Sequence, residues 1–358
     1  MTRARESQID LDATPWYHVV NRCVRRAYLC GVDEISGQSY EHRRGWIEQR
    51  MMQLASVFAV DVAAFAVMSN HYHLVVRVDR EKAQAWSDDE VLARWTKLFA
   101  GNPVVKRYLD APQEADEALL DKVREFVGVY RGRLHDVSWL MRVLNESIAR
   151  MANQEDGVKG RFWEGRFKSQ ALLDEQAVLS VMAYVDLNPV RAKMADGLED
   201  SDFTSVQRRI HGQYLEPEAP KELTGLPEIT AAEVNTPQQA LQNVFLNRLA
   251  EIPTAALMPF DPSGLNPCSI TFSHADYLEF VDYLGRAVHP RKRGKIVDKR
   301  PRIMEKLSLS DRLVDAFCEG RLLNRFGGSV GKVTSLKQQT GAGAFKKGST
   351  LARRLFAG

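Results

Sequence analysis

Cysteine is scarce in this chain: four occur in 358 residues, at Cys23, Cys30, Cys268 and Cys318, and no CxxC pair is among them. That excludes a disulfide framework and a structural zinc site, and it predicts reduced thiols. Long apolar runs are missing as well. No stretch of about 18 apolar residues is present, and Met1 to Asp10 is polar and mixed in charge, so a cytoplasmic chain without membrane association is expected. No internal repeat is found. A phosphate-cradling nucleotide loop is also excluded: Gly331-Lys332 is followed by Val333, and Phe326 stands where such a loop needs glycine. With 44% hydrophobic and 27% charged residues the chain is globular and soluble in composition, and its length allows two domains or one with an appendage.

The net charge of +3 conceals an asymmetry. Val281 to Gly358 holds 18 Lys plus Arg against 6 Asp plus Glu, and the residues before it hold 31 against 40. A basic tail on an acidic body points to a polyanion, because cations that neutralise phosphates release counterions. Nucleic acid fits that description. Two runs in the tail are candidate backbone grips: Arg291, Lys292, Arg293 and Lys295, then Lys299, Arg300 and Arg302.

Patterning divides the chain further. Trp16 to Arg22 (WYHVVNR) is β-branched and aromatic enough for a strand, and Glu41 to Val60 has helical spacing. Val62 to Met68 and Tyr72 to Val78, separated by Ser69-Asn70, read as two strands or one long bent strand. Residues 80–135 are polar, with acidic clusters at Asp88-Asp89-Glu90 and Glu114 to Glu117, and form an expected helical insertion. Ser138 is the expected cap of a helix with the stripe Leu140, Leu144, Ile148 and Met151. Gly157 to Gly160 breaks it, Arg161 to Leu173 alternates as a strand, and Asp174 opens a helix that buries Val178, Val181, Met182 and Val185 and stops near Pro189. Prolines 217, 220, 227 and 237 mark a connection, after which Ser273-x-x-Asp276 opens another amphipathic helix. The expected division is a catalytic domain at 1–214, a linker at 215–240 and a basic, mostly helical DNA-binding domain at 241–358.

Residues two apart on a strand share a face, so His71 and His73 present their imidazoles together while Tyr72 points the other way. Paired imidazoles suit a divalent metal. On the helix that follows Asp174, Ser180, Tyr184 and Asn188 lie four apart in one row beside the apolar stripe. A phenol there can attack a phosphorus centre, and an amide oxygen one turn later can complete a metal's ligand set. His18, on the first strand, is a candidate for supporting such a site from behind. Arg161, Arg166 and Lys168, interleaved with Phe162, Trp163 and Phe167, combine charge with stacking surface as single-strand binding requires, which makes Arg161, Trp163, Arg166 and Lys168 candidate DNA contacts.

Three runs taken together, Ala66 to Val75 (AVMSNHYHLV), Gly160 to Ser169 (GRFWEGRFKS) and Tyr184 to Ala192 (YVDLNPVRA), resemble the insertion-sequence-200-like single-tyrosine transposases, and most closely their REP-associated tyrosine transposase branch. An N-terminal YHVVNR-like strand, Tyr17 to Arg22, belongs to the same pattern, and the resemblance spans about Trp16 to Asp196. It implies an α+β fold, a ferredoxin-like antiparallel sheet flanked by helices of the HUH endonuclease type. It also implies His71 and His73 as metal ligands, Tyr184 as nucleophile, and Asn188 at a third ligand position that is glutamine in some relatives. Asn is the shorter ligand. The resemblance further implies Mg2+ or Mn2+ as cofactor, a 5′-phosphotyrosine intermediate with a free 3′-OH, and single-stranded or hairpin DNA as substrate, handled by a monomer or a homodimer that is nucleoid-associated when bound. Three other readings stay open at this point: a catalytically silent hairpin-binding regulator, a metal-dependent phosphoesterase that uses water, and a zinc hydrolase.

Overall fold

The computed structural model describes residues 8–24, 29–33, 36–212, 248–249 and 251–288, together with short stretches between 304 and 356. Five strands form one sheet: β1 (Trp16–Arg22), β2 (Val60–Val67), β3 (His71–Val78), β4 (Lys168–Leu172) and β5 (Ser329–Val330), in the order β2-β3-β1-β4-β5. The first four pair antiparallel, and β5 joins β4 in parallel. Helix α1 (Arg43–Val57) connects β1 to β2, while β3 lies between that pair. Helices α2 (Arg80–Ala85), α3 (Asp88–Leu98), α4 (Pro103–Asp110), α5 (Glu117–Leu134) and α6 (Val137–Glu155) connect β3 to β4 across β1. The chain therefore makes two interleaved split β-α-β units.

Strand alternation sends side chains to two different cores. Tyr17, Val19, Tyr72, Leu74 and Val76 pack with α1 and α6 on one face. On the other face Val75 and Leu172 meet α7 (Glu175–Asp186). A bulge between Val62 and Ala64 shifts the β2 register. It places Ala63, Ala64 and Ala66 beneath α7, and side chains that small let the helix approach the sheet closely.

The acidic clusters of the insertion are helix starts. Ser87 caps α3, whose first turn is Asp88, Asp89 and Glu90, and Asp116 caps α5. Negative charge at a helix N-terminus is favoured by the unpaired amides there. The insertion's aromatics join the core on the α1 side of the sheet, where the Trp95 and Tyr130 rings stack with centroids 4.5 Å apart.

Several sequence expectations change in detail. Asp136, not Ser138, caps α6, and its carboxylate accepts from the Ser138 amide. Of Arg161 to Leu173 only Lys168–Leu172 is strand, because Phe162, Trp163 and Phe167 turn inward and fold the preceding stretch into a loop. That loop is held to the end of β1 by a bridge between Cys23 and Trp163. Helix α7 has no solvent face: every residue from Gln176 to Asp186 is buried. Asn188 begins a separate short turn, α8 (Asn188–Arg191), with Pro189 near its start, where a missing N–H is tolerated.

What covers α7 comes from the C-terminal part of the chain. Helix α9 (Ser205–Ile210) and helix α10 (His274–Val288), the latter capped by Ser273, pack nearby, and Tyr277, Phe280, Val281 and Leu284 are fully buried against the same core as α7. Described residues of 241–358 pack on both faces of the sheet: Leu249, Ile252 and Leu257 join the first core, Met258 and most of those after it the second, and β5 extends the sheet. The Pro-rich connection and the cations Arg291, Lys292, Arg293, Lys295, Lys299, Arg300 and Arg302 lie outside the described residues.

Both ends of α7 are tied down. At its start Asp174 accepts from the Ala177 amide with one oxygen and from the Lys332 amide, at 2.7 Å, with the other. Gly331 permits this approach, since a Cβ there would lie 2.9 Å from the Asp174 carboxylate. At its end the fully buried Asp186 accepts from Ser205 Oγ, the Val206 amide and, at 2.5 Å, the Tyr277 hydroxyl. Burial pushes the Asp186 carboxyl up to about 6 despite these donors. We expect Asp186→Ala to cost about 3–5 kcal/mol in urea unfolding, because three buried donors lose their acceptor at once. Tyr277→Phe should cost about 1–3 kcal/mol in the native background and close to nothing in the Asp186→Ala background.

Candidate active site

His71 and His73 stand at the start of β3 on the face that α7 covers. The Met68 amide closes the β2–β3 hairpin onto the His71 carbonyl at 2.8 Å, so Ser69-Asn70 is a tight two-residue connection. The Asn70 side-chain oxygen lies 2.6 Å from His71 Nδ1. The two imidazole rings are edge-on to each other with centroids 4.9 Å apart. Tyr72 points the opposite way, as alternation requires, and donates its hydroxyl to Asn145 of α6.

Tyr184 approaches from α7. Its ring is 8% exposed and meets His73 edge-to-face at a centroid distance of 6.0 Å. One turn on, Asn188 is also buried, and both residues line the same cavity, of about 680 Å³, as the two histidines. The strand pair and the helix pair are therefore brought together. Arg191, from the turn after Asn188, lays its guanidinium 4.6 Å from the Tyr184 ring centroid. The contact is a cation–π pair that fixes the guanidinium over the ring face.

The cavity is cationic at its mouth. Arg22, Arg166 and Lys168 line it and are exposed, and Glu164 is the one carboxylate among its described lining residues. Arg161 is exposed but does not line the cavity. Trp163 has to be withdrawn as a stacking surface: it is 8% exposed, packs edge-on against Tyr72 and donates its indole N–H to the Asn145 carbonyl. Phe162 and Phe167 are core residues too.

A residue that sequence reasoning placed only loosely lies at the centre of the site. His18 is 2% exposed, and its Nε2 lies 2.9 Å from His73 Nδ1, with the two rings stacked at 5.1 Å and 10°. On its other side His18 Nδ1 faces Gln170 Oε1 at 3.1 Å. Burial holds His18 and His71 down at about 4 and His73 well below the ordinary 6.5; Arg22 adds to this at His71 and His73, and neighbouring His18 at His73. These shifts favour the neutral form of each ring, the form in which imidazole binds metal. The signal for Gln170 was its place two residues after Lys168, on the same face of a strand.

The donors that face the cavity could hold a divalent cation. Asn70 and His18 occupy the Nδ1 atoms of His71 and His73, which leaves Nε2 of each to the cavity. The buried side-chain nitrogen of Asn188 has no hydrogen-bond partner among the described residues, and an amide turned about its last bond presents oxygen there instead. Two imidazoles and an amide oxygen, with room for water and phosphate oxygens, could hold a divalent cation; imidazole alone leans toward softer ions, and the expectation of Mg2+ or Mn2+ comes from the sequence resemblance. By contrast Asp61, Asp79 and Cys268, which also cluster, are bound together by Arg77, whose guanidinium reaches both carboxylates. That group is an ion-pair network. Cys23, Cys30 and Cys268 are free thiols, and no helix among the described residues is long and apolar enough to cross a membrane.

No protein-family model and no curated protein matches this chain. Among solved structures, that of a REP-associated tyrosine transposase bound to a REP hairpin is similar, at 13% sequence identity and a TM-score of 0.34, over 64% of this chain and 100% of the other.

Proposed function

We propose that the chain is a metal-dependent transposase that nicks and rejoins single-stranded or hairpin DNA through Tyr184. The observation that carries this reading is the convergence of a phenol, two imidazoles and an orphaned amide on one cation-rimmed cavity. The strand order and the two split β-α-β units support a ferredoxin-like sheet of the HUH endonuclease type. The three sequence runs that resemble the single-tyrosine transposases contain all four of these residues.

His71, His73 and Asn188 would hold the cation. When bound, it draws electron density from the scissile phosphate and offsets the charge that builds there. Arg166 and Lys168 engage the phosphates of the incoming strand, and Arg22 adds a further cation at the rim. The Tyr184 phenol attacks the phosphorus: its O–H proton passes to solvent water as the Oη–P bond forms, and solvent returns one to the departing 3′ oxygen. The P–O3′ bond breaks, and the 3′ oxygen leaves with a proton as a free hydroxyl. The linkage exchanged for the phosphodiester is itself a phosphodiester, so a 3′-OH can reverse the step and join a different end without ATP. Arg191 keeps its guanidinium over the face of the phenolic ring.

The test is direct. A hairpin oligonucleotide with a single-stranded flank, incubated with the full chain and Mg2+, should yield an adduct that survives denaturation and maps to the peptide containing Tyr184. Binding without any adduct over a range of hairpins refutes the enzyme reading in favour of a regulator.

The rim cations act on affinity in a separable way. Arg166→Ala and Lys168→Ala should each lower the slope of log affinity against log salt by about 0.7–1, read by fluorescence anisotropy. An unchanged slope in both variants removes these residues from the phosphate contacts.

A further inference from the structure

Between ring nitrogens 2.9 Å apart, one carries a proton and the other a lone pair; two lone pairs or two protons repel. The contact between His18 Nε2 and His73 Nδ1 therefore has only two neutral forms. In the first, His73 Nδ1–H donates to His18, and the His73 lone pair is on Nε2, facing the cavity. In the second, His18 donates, and His73 carries its proton on Nε2, where it blocks a metal. Gln170 selects between them. Its oxygen faces His18 Nδ1 at 3.1 Å, so that nitrogen carries the proton and His18 Nε2 is left as the acceptor.

We propose that His18, oriented by Gln170, is a positioning residue that holds His73 as the Nδ1–H tautomer and so presents its Nε2 lone pair to the divalent cation. The inference rests on the metal-site reading above but not on the identity of the DNA. The sheet register explains how the three residues meet. His18 pairs with Gln170 across β1 and β4, and with Val75 across β1 and β3, which makes His73 its diagonal neighbour on the same face. Asn70 performs the same service for His71 from within its own hairpin, with its side-chain oxygen 2.6 Å from Nδ1. Both ligands are thus aligned through Nδ1, one by a local amide and one by a two-residue relay that spans three strands. A metal-bound histidine commonly has its second nitrogen engaged by an acceptor, and loss of that acceptor typically weakens metal binding roughly 10–100-fold.

The experiment uses the full metal-free chain labelled with 15N-histidine, with long-range 1H–15N correlation spectra at neutral pH and the His73 signals assigned by their loss in His73→Gln. Mn2+ titration by calorimetry supplies a second readout. The expected wild-type spectrum has His73 protonated on Nδ1. His18→Leu should shift His73 toward the Nε2–H form and weaken Mn2+ binding roughly 10–100-fold, whereas His18→Gln, which keeps an acceptor near the same point, should retain both. If His18→Leu fails to fold, Gln170→Met leaves His18 in place and should scramble the tautomers of both rings. A wild-type His73 protonated on Nε2, or His18→Leu and Gln170→Met variants with native tautomer and native Mn2+ affinity, overturns the inference. Neither readout requires DNA: a chain that makes no adduct yet shows the Nδ1–H form and His18-dependent Mn2+ binding loses the strand-transfer reading and keeps this one.

Discussion

Tyr184→Phe should abolish the covalent DNA adduct, with strand cleavage falling by at least about 10³-fold, while hairpin affinity and thermal stability stay near wild type. The size of the effect follows from what is removed. Phenylalanine retains the ring that packs edge-on against His73 and beneath Arg191, so the cavity walls are unchanged. Only the attacking oxygen goes. A gel assay on a radiolabelled hairpin with a single-stranded flank separates the competing chemistries. Cleavage that persists at the wild-type rate in Tyr184→Phe identifies a water nucleophile, and the tyrosine reading then fails.

Removing either histidine should be nearly as damaging to the reaction, with a different signature. His71→Ala and His73→Ala should each weaken Mn2+ binding by about 10²-fold or more and reduce adduct formation in parallel, since each deletes an imidazole that no neighbour replaces. The two variants should part company in stability. His73 is buried and stacked on His18, whose Nε2 loses its partner on truncation, so His73→Ala should also cost about 1–3 kcal/mol in denaturant unfolding. His71 is half-buried, and its hydrogen bond is to its own neighbour Asn70, so His71→Ala should unfold nearly as the wild type does. Isothermal titration with Mn2+ and urea unfolding on the same samples check both halves. Wild-type Mn2+ affinity in His71→Ala refutes the proposed ligand set.

Much of the scaffold could be read from residue patterns, because the relevant forces are local. The β-branched and aromatic run Trp16–Arg22 is β1, the alternation around His71 is β3, and Asp174 caps α7, since an acidic side chain there reaches an unpaired amide whatever the rest of the chain does. The spacing of Tyr184 and Asn188 put them on one side of a helical path, although a short break at Leu187 separates the two turns. What was not legible depends on partners distant in sequence. Helix α7 reads as amphipathic in isolation, but the chain around Tyr277 to Leu284, about a hundred residues later, covers its outer side. The run around Trp163 has the composition of a single-strand binding surface, and only tertiary packing shows that its aromatics point inward. The role of His18 needed the register of β1 against both β3 and β4, which no local pattern encodes. The acidic clusters of the insertion suggested nothing until they were seen as first turns of helices.

The anchoring of α7 at Asp174 and Asp186 bears on how two DNA ends would be exchanged in the proposed reaction. A helix buried along its length and pinned at both ends holds its tyrosine beside the histidines. On the proposed reaction the nucleophile is a stationary anvil, and recombination then requires the nucleic acid to do the travelling: one severed terminus stays tethered while its leaving 3′ end vacates the cleft and another takes its place.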